Sequence, residues 1–137
     1  MTEPARHYFE DVVVGEVVET PGLTVTETHV SLYLGLTRDL AAPGEAVPSL
    51  LGLCLLTGLA WRAPRPPLVV LAFMSLEWTE LAPLRVGDTI RSRARTKAKR
   101  AIREGGVIIE ERELVNQRGE VAQRSRFTLL VARRPAK

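Results

Sequence analysis

The segment that most constrains the fold is an almost entirely apolar stretch near the middle of the chain, Ser49 to Trp61. Pro48 precedes it, and proline suits a first helical position because its missing N–H would have no partner there. Pro64, Pro66 and Pro67 follow and predict the end of the helix. A helix that is apolar all round must be buried on nearly every side. In a chain of 137 residues, only a sheet wrapped around the helix provides that cover.

The second half of the chain has the patterns of strands. In the stretch 89–99, charged side chains occupy mostly odd positions, whereas Ile90, Ala94 and Ala98 are among the even ones. This alternation is the period of a strand with one solvated face. Glycine-containing turns join the last three predicted strands, which indicates an antiparallel meander. The predicted strands are Leu68–Trp78, Thr89–Lys99, Val107–Val115 and Val121–Ala132.

A first helix is predicted before the apolar one, from about His29 to Leu36, with capping residues in the stretch 26–29. One side of it carries Val30, Leu32, Tyr33 and Leu36. Helices thus gather in the first half of the chain and strands in the second, which predicts the α+β class. No linker or change of composition marks a boundary, so we expect a single domain over residues 1–137.

Composition and cysteine content narrow the class of protein. Charged residues make up 26% of the chain, which is ordinary for a soluble protein. No apolar run follows Met1, and no stretch reaches the ~20 residues that span a bilayer, so we expect neither a signal peptide nor a membrane segment. The single cysteine, Cys54, favours a reducing cytoplasm. Its apolar neighbours predict a buried and unreactive thiol.

Several short motifs occur in a consistent order along the chain. They are Phe9-Glu10-Asp11 with Val14-Gly15, Thr24–Glu27, Leu34–Asp39, Leu55–Leu59, and Glu77-Trp78 with Pro83 and Val86–Thr89. Their order and spacing resemble the MaoC-like branch of the hot-dog family, which includes (R)-specific enoyl-CoA hydratases and 3-hydroxyacyl-thioester dehydratases. The resemblance covers most of the chain. It implies a hot-dog fold, in which an antiparallel sheet wraps around a buried apolar helix.

The resemblance also implies a reaction, the addition of water to an enoyl thioester. In that family an Asp and a His of a D-x4-H motif handle the water, because general acid–base catalysis needs two groups within reach of it. A backbone N–H at the start of the central helix polarises the thioester carbonyl. The family Asp falls on Asp39, but Gly44 stands where the His is expected, and Pro48-Ser49 replaces the helix start. The catalytic motif is therefore degenerate.

Four residues remain as candidates for the site. Asp39 is either a lone carboxylate that activates water or a solvent-facing residue at a helix end, and both interpretations stay open. Glu45, in the shortened loop, is a weaker candidate for a carboxylate. The resemblance assigns to the backbone amides of Ser49 and Leu50 the role of binding the thioester carbonyl. Pro48 has no N–H to offer.

The two histidines do not replace the missing partner. His7 belongs to the N-terminal arm, and His29 is predicted at a helix start, so we expect surface or capping roles for both. The sequence has no Cys/His cluster and no glycine-rich loop between a strand and a helix. We therefore predict neither a metal site nor a cofactor.

A row of basic residues extends from Arg91 to Arg103, and the net charge is +3. No aromatic residue lies between Trp78 and Phe127, although surfaces that bind nucleic acid usually include aromatic side chains. We interpret the row as a solvated strand face. The next interpretation is a rim that attracts an anion such as the phosphates of coenzyme A.

Three hypotheses about function follow. The first is a protein that binds acyl-CoA or an acyl-carrier thioester and hydrates it poorly or not at all, as a homodimer or as the partner of a related catalytic subunit. The second is an active hydratase or thioesterase in which Asp39 is the lone carboxylate. The third is a binder of anions or nucleic acid through the basic strand 91–103, and it ranks last.

Overall fold

The computed structural model describes residues 4–39 and 46–136. Within these ranges the chain forms two α-helices and six strands, together with short 3-10 helices at Phe9–Asp11 and Ala60–Arg62. The helices are α1, Glu27–Thr37, and α2, Ser49–Leu59. The strands are β1, Val17–Glu19; β2, Leu23–Thr24; β3, Val70–Glu80; β4, Thr89–Ile102; β5, Gly105–Val115; and β6, Val121–Val131.

The strands form an antiparallel sheet in the order β1-β4-β5-β6-β3, with β2 paired to the start of β4. The predicted meander is confirmed, because β4, β5 and β6 are successive neighbours. β3 crosses over and pairs with β6 at the far edge of the sheet. The α+β class and the antiparallel sheet are therefore as the sequence predicts, with strand ends that differ by a few residues.

The core lies between α2 and the sheet. Leu56 of α2 is fully buried, as are Ile90 of β4, Ile108 of β5 and Leu129 of β6. These residues belong to one hydrophobic cluster. Burial of such side chains typically contributes about 1.5–3 kcal/mol each, so the contact with the sheet fixes α2 in place.

α2 is buried on one face only. The prediction that this helix is buried on nearly every side is therefore wrong within the single chain. The buried face contains Leu51, Gly52, Leu56 and Leu59. Leu50 is 48% exposed, and Trp61, just beyond the helix, is 75% exposed. Cys54 is also exposed, so the prediction of a buried thiol is wrong. The reason is geometric, since a sheet covers the face of a helix that it contacts and leaves the opposite face open.

No helix within the described ranges is long and apolar enough to cross a membrane. α2, the most apolar segment, has eleven residues. A bilayer needs about twenty.

α1 begins two residues earlier than predicted and has Thr26 as its N-cap. The side chain of His29 lies back over this cap, where its Nδ1 accepts the amide N–H of Thr26 at 2.9 Å. His29 therefore has the capping role. The apolar side predicted for α1 is wrong for Leu32 and Leu36, which are 64% and 87% exposed. α1 packs at the periphery of the core through Tyr33, its one buried residue.

β4 follows the predicted alternation only up to a bulge. Ile90, Ser92 and Thr96 are buried. The register against β5 then shifts between Thr96 and Ala98. An extra residue in one strand reverses the side on which later residues lie, and Ala98 is exposed as a result. The prediction of Ala98 as an inward residue is therefore wrong.

Candidate ligand-binding site

A cavity of about 350 Å³ lies between the C-terminal half of α2, the segment that follows α2, and the sheet. Small-molecule sites usually have volumes of about 300–1,000 Å³, with mostly apolar walls and a few polar groups. The walls of this cavity are also mostly apolar, with a few polar groups. Apolar side chains that line the cavity include Val18, Leu68, Val70, Phe73 and Ala94.

Two charged residues of β5 line this apolar cavity. Glu110 is 2% exposed and Arg112 is 6% exposed. Arg112 Nε donates a hydrogen bond to Glu110 Oε1 at 2.6 Å. The guanidinium carbon of Arg112 lies 4.1 Å from the centre of the Phe127 ring. Arg65 also lines the cavity, and its Nη2 lies 3.7 Å from Glu110 Oε2. We call these three charged residues, Arg65, Glu110 and Arg112, the cavity cluster.

The sequence contains a signal for two members of the cluster, although neither is among the predicted site residues. Ile108 and Leu114 are fully buried residues of β5 at even positions. Glu110 and Arg112 lie between them with the same parity, and alternate residues of a strand face the same side. Opposite charges at two successive inward positions are unusual, because charged side chains are rarely buried without a partner. No comparable signal marked Arg65.

Asp39 lies beyond the end of α1 and is half-buried. Tyr33 Oη donates a hydrogen bond to Asp39 Oδ2 at 2.8 Å, and the amide of Asp39 donates to Thr37 Oγ1 at 3.1 Å. Burial, and next the hydrogen bond to Asp39, raise the pKa of Tyr33 above its ordinary value. Asp39 is not one of the residues that line the cavity. The structure therefore brings Asp39 together with Tyr33, a partner that the sequence analysis did not select.

Ser49 and Leu50 form the first turn of α2, at the opposite end of the helix from the cavity. First-turn amides of an α-helix have no acceptor within the helix, so these two can donate to a ligand. The carbonyl of Ser49 accepts a hydrogen bond from Gln123 Nε2 at 2.8 Å. Glu45 and Gly44 lie outside the described residues.

The basic strand pairs with carboxylates of the same sheet. Arg93 Nη2 donates to Glu113 Oε1 at 2.8 Å, and Arg91 Nε lies 3.9 Å from Glu19 Oε2. Burial by itself raises the pKa of Glu113, but hydrogen bonds from Arg93 and Arg124 outweigh it and hold that pKa below its ordinary value. These pairs are what a solvated strand face requires, and they reduce the positive charge available to a polyanion.

Neither a protein-family model nor a curated protein matches the chain. Solved structures match along nearly its whole length. The monoamine oxidase regulatory protein from Archaeoglobus fulgius is 25% identical, with a TM-score of 0.83 over 98% of this chain and 100% of that one. The MaoC-like dehydratase from Rhodospirillum rubrum is 19% identical, with a TM-score of 0.80 over 95% of this chain and 99% of that one.

Two further solved structures share the fold. The R-hydratase PhaJ1 from Pseudomonas aeruginosa is 13% identical, with a TM-score of 0.75 over 93% of this chain and 86% of that one. Smu.793 from Streptococcus mutans UA159, solved with acetyl CoA bound, is 12% identical, with a TM-score of 0.59 over 91% and 89% of the two chains. The resemblance drawn from the motifs is confirmed at the level of fold. The chain has the hot-dog fold that the MaoC-like dehydratase and R-hydratase structures share.

Proposed function

We propose that this chain binds an acyl thioester, of coenzyme A or of a carrier protein, and hydrates it poorly or not at all. The observation that carries the proposal is the apolar cavity beside α2 in a fold shared with a MaoC-like dehydratase and an R-hydratase. A structure of the same fold with acetyl CoA bound supports a thioester as the ligand class.

The proposed ligand lies along α2. Its acyl group occupies the apolar cavity at the C-terminal half of the helix, where transfer from water is favourable. The amides of Ser49 and Leu50 begin the same helix, and its eleven residues span about 16 Å. The face between them includes the exposed Cys54 and Gly58. A thioester that runs along this face has donors for an oxygen at one end and apolar walls at the other.

Weak or absent hydration is expected because the chain lacks one of the two groups that would transfer protons to and from the water. Gly44 stands at the position of the family histidine and has no side chain that carries a proton. His29 is held at the start of α1 by Thr26. General acid–base catalysis on one water needs two positioned groups, and Asp39 supplies one carboxylate.

A second candidate function is an active hydratase or thioesterase with Asp39 as the lone carboxylate. The observation that favours it is the bond of 2.8 Å from Tyr33 Oη to Asp39 Oδ2. A tyrosine hydroxyl, with an ordinary pKa of about 10, is protonated at neutral pH, and burial raises the pKa of Tyr33 further. This hydroxyl therefore donates to the carboxylate and orients it. A fixed carboxylate that activates water is sufficient for some thioester hydrolysis.

We also propose that the chain associates through β3, with a second copy or with a related catalytic subunit. β3 forms an outer edge of the sheet and pairs with β6 on one side. An edge strand with exposed apolar side chains is a template for pairing with another chain. The exposed apolar residues of β3 are Val70, Leu71, Phe73, Met74 and Leu76.

The test is a rate assay of the purified protein with crotonyl-CoA, in which loss of the enoyl absorbance and release of free thiol are followed together, beside a binding measurement. Binding with neither reaction is the expected result. Hydration at an ordinary enzymatic rate overturns the proposal. Thiol release without hydration favours the thioesterase. Absence of binding counts against the thioester as ligand.

Variants assign the residue responsible if turnover occurs. Asp39→Asn keeps the shape of the side chain and removes its charge, so turnover that depends on the carboxylate falls by at least about tenfold. Glu27→Gln is the matched control, because Glu27 is an exposed acid in the first turn of the same helix. Equal loss in both variants removes Asp39 from the mechanism.

A further inference from the structure

We propose that the cavity cluster is a recognition site for a carboxylate, so that the cavity takes ligands with an apolar body and a carboxylate at the buried end. The site is formed by Arg112 and Arg65 on either side of Glu110. It lies within the cavity and not at the first turn of α2, where the thioester carbonyl is expected.

Arg112 is a buried residue with unused donors. A guanidinium carries five N–H groups. Nε of Arg112 donates to Glu110, whereas its Nη1 and Nη2 donate no hydrogen bond to any residue of 4–39 or 46–136. The residue is 6% exposed and lines the cavity, and neither Nη atom is among the side-chain atoms that are shielded from solvent without a partner. These donors therefore open onto the cavity, where a ligand oxygen can accept from them.

Arg112 is the cationic group that a ligand in the cavity meets. The side chains of Arg65, Glu110 and Arg112 are 17%, 3% and 8% exposed, and together they carry two positive charges and one negative charge. Glu16 Oε2, which is shielded from solvent, lies 3.7 Å from Arg65 Nη1 and offsets the charge of Arg65. Arg112 therefore remains as the cation that can pair with a ligand carboxylate, and a planar guanidinium suits carboxylate geometry.

The threonine hydroxyl groups beside the cluster offer little competition. Thr20 Oγ1 accepts the amide of Ser92 and donates to the carbonyl of Pro21. Thr57 Oγ1 donates to carbonyl oxygens of its own helix. Both threonines line the cavity with their hydrogen bonds already made. The guanidinium groups are the charged donors that a ligand meets, beside the uncharged Ser92 hydroxyl and Trp61 indole, which also line the cavity. Charged donors favour a carboxylate oxygen as the acceptor.

The site also narrows the proposed substrate class, and this step rests on the proposed function. If the ligand is a thioester that lies along α2, the end of its acyl group reaches the cavity cluster. The acyl group is then one that carries a second carboxylate at its far end, the monothioester of a dicarboxylic acid. A plain alkyl chain would leave the donors of Arg112 without an acceptor.

The experiment compares hexanoate with hexanamide, which has the same chain and no charge, by titration calorimetry and by protection of Cys54 from alkylation. Cys54 lines the cavity and is exposed. We expect hexanoate to bind at least about tenfold more tightly than hexanamide and to slow alkylation. Equal binding of the two compounds, or no binding of hexanoate, overturns the carboxylate site.

Variants test the residues themselves. Arg112→Met alone removes the hydrogen bond to the buried Glu110, leaves it only Arg65 at 3.7 Å, and is at risk of unfolding. The double variant Glu110→Gln/Arg112→Met removes both charges together, and it is expected to lose the preference for hexanoate. Arg126→Met is the control, because Arg126 is an exposed arginine on the neighbouring β6. A folded double variant that keeps the preference contradicts the proposal. If it does not fold, the comparison of ligands on the unaltered protein decides.

The two proposals fail in distinguishable ways. A protein that binds hexanoate, but neither crotonyl-CoA nor the coenzyme A monothioester of a dicarboxylic acid, retains the carboxylate site and loses the thioester function. A protein that binds crotonyl-CoA and does not distinguish hexanoate from hexanamide retains the thioester function and loses the carboxylate site.

Discussion

Gln123 Nε2 donates a hydrogen bond of 2.8 Å to the carbonyl of Ser49 and so joins β6 to the first turn of α2. The other end of the same amide, Oε1, accepts a hydrogen bond from Trp78 Nε1 at 3.1 Å. Gln123 is 1% exposed, so both bonds are shielded from water. This amide sets the position of the backbone donors that we propose for the thioester carbonyl.

The close approach of Gln123 to α2 requires glycine at position 52. A Cβ added there would lie 2.3 Å from Gln123 Nε2, whereas a Cβ at Gly58 would meet nothing within 4 Å. We expect Gly52→Ala to lower the free energy of unfolding by about 1–3 kcal/mol through overpacking. Gly58→Ala, in the same helix, should raise it by about 0.5–1 kcal/mol. Urea denaturation of both variants checks this, and equal stabilities would contradict it.

Stability in acid should depend on Asp88. Burial by itself raises the pKa of this carboxyl, but hydrogen bonds from Gln117 Nε2 and the amide of Arg85, both 2.9 Å, outweigh burial and hold the pKa below its ordinary value. A carboxyl group whose pKa is lowered by folding stabilises the folded state. This stabilisation is fully present at pH values above the pKa of the unfolded chain, about 3.9. That stabilisation is lost as the pH falls through the folded value.

In Asp88→Asn, the free energy of unfolding should therefore decrease less than in the unaltered protein as the pH is lowered below about 4. Denaturant titrations at a series of pH values measure it. Glu80→Gln, an exposed carboxylate at the end of β3, is the control. An acid profile of Asp88→Asn identical to that of the unaltered protein would refute the contribution of Asp88.

Association through β3 should be sensitive to charge at Met74. Met74 is 53% exposed within the apolar run of the edge strand. We expect sedimentation to show a concentration-dependent assembly that Met74→Lys abolishes, because a charge buried in a strand pair loses its hydration. Thr79→Lys, near the end of the same strand, should have a smaller effect. A chain that stays monomeric at every concentration would exclude self-association.

Cys54 should react with a thiol reagent in the folded protein. Its exposure on α2 makes the sulfur accessible, and access is one of the two determinants of thiol reactivity. Since Cys54 also lines the cavity, saturation with crotonyl-CoA should slow the reaction. Labelling that requires denaturation would show that another contact covers this face of α2, and labelling unaffected by crotonyl-CoA would place the thioester elsewhere.

Several conclusions were reached from short-range patterns alone. Alternation along β4 and the turn residues after it predict the meander, because side-chain period and turn chemistry are local properties. The apolar run 49–61 predicts the central helix. The hot-dog fold is implied by the resemblance that the ordered motifs carry, and not by these local patterns. A cytoplasmic location, a single domain, and the lack of a metal or cofactor stay predictions from the sequence.

Other features depend on contacts between residues that are far apart in the chain. The exposure of Cys54 follows from which face of α2 meets the sheet, and the exposure of Ala98 follows from a bulge against β5. Asp39 contacts Tyr33 and lies outside the cavity, while Arg65 and Arg112 meet at Glu110.

The sequence by itself determined the main elements and the α+β class, because hydrophobic periodicity and turn residues act over a few positions. Only the tertiary structure decided which charged groups share a buried cavity. That depends on the register of β5 and on the path of the chain after α2, and neither is encoded in any single short segment.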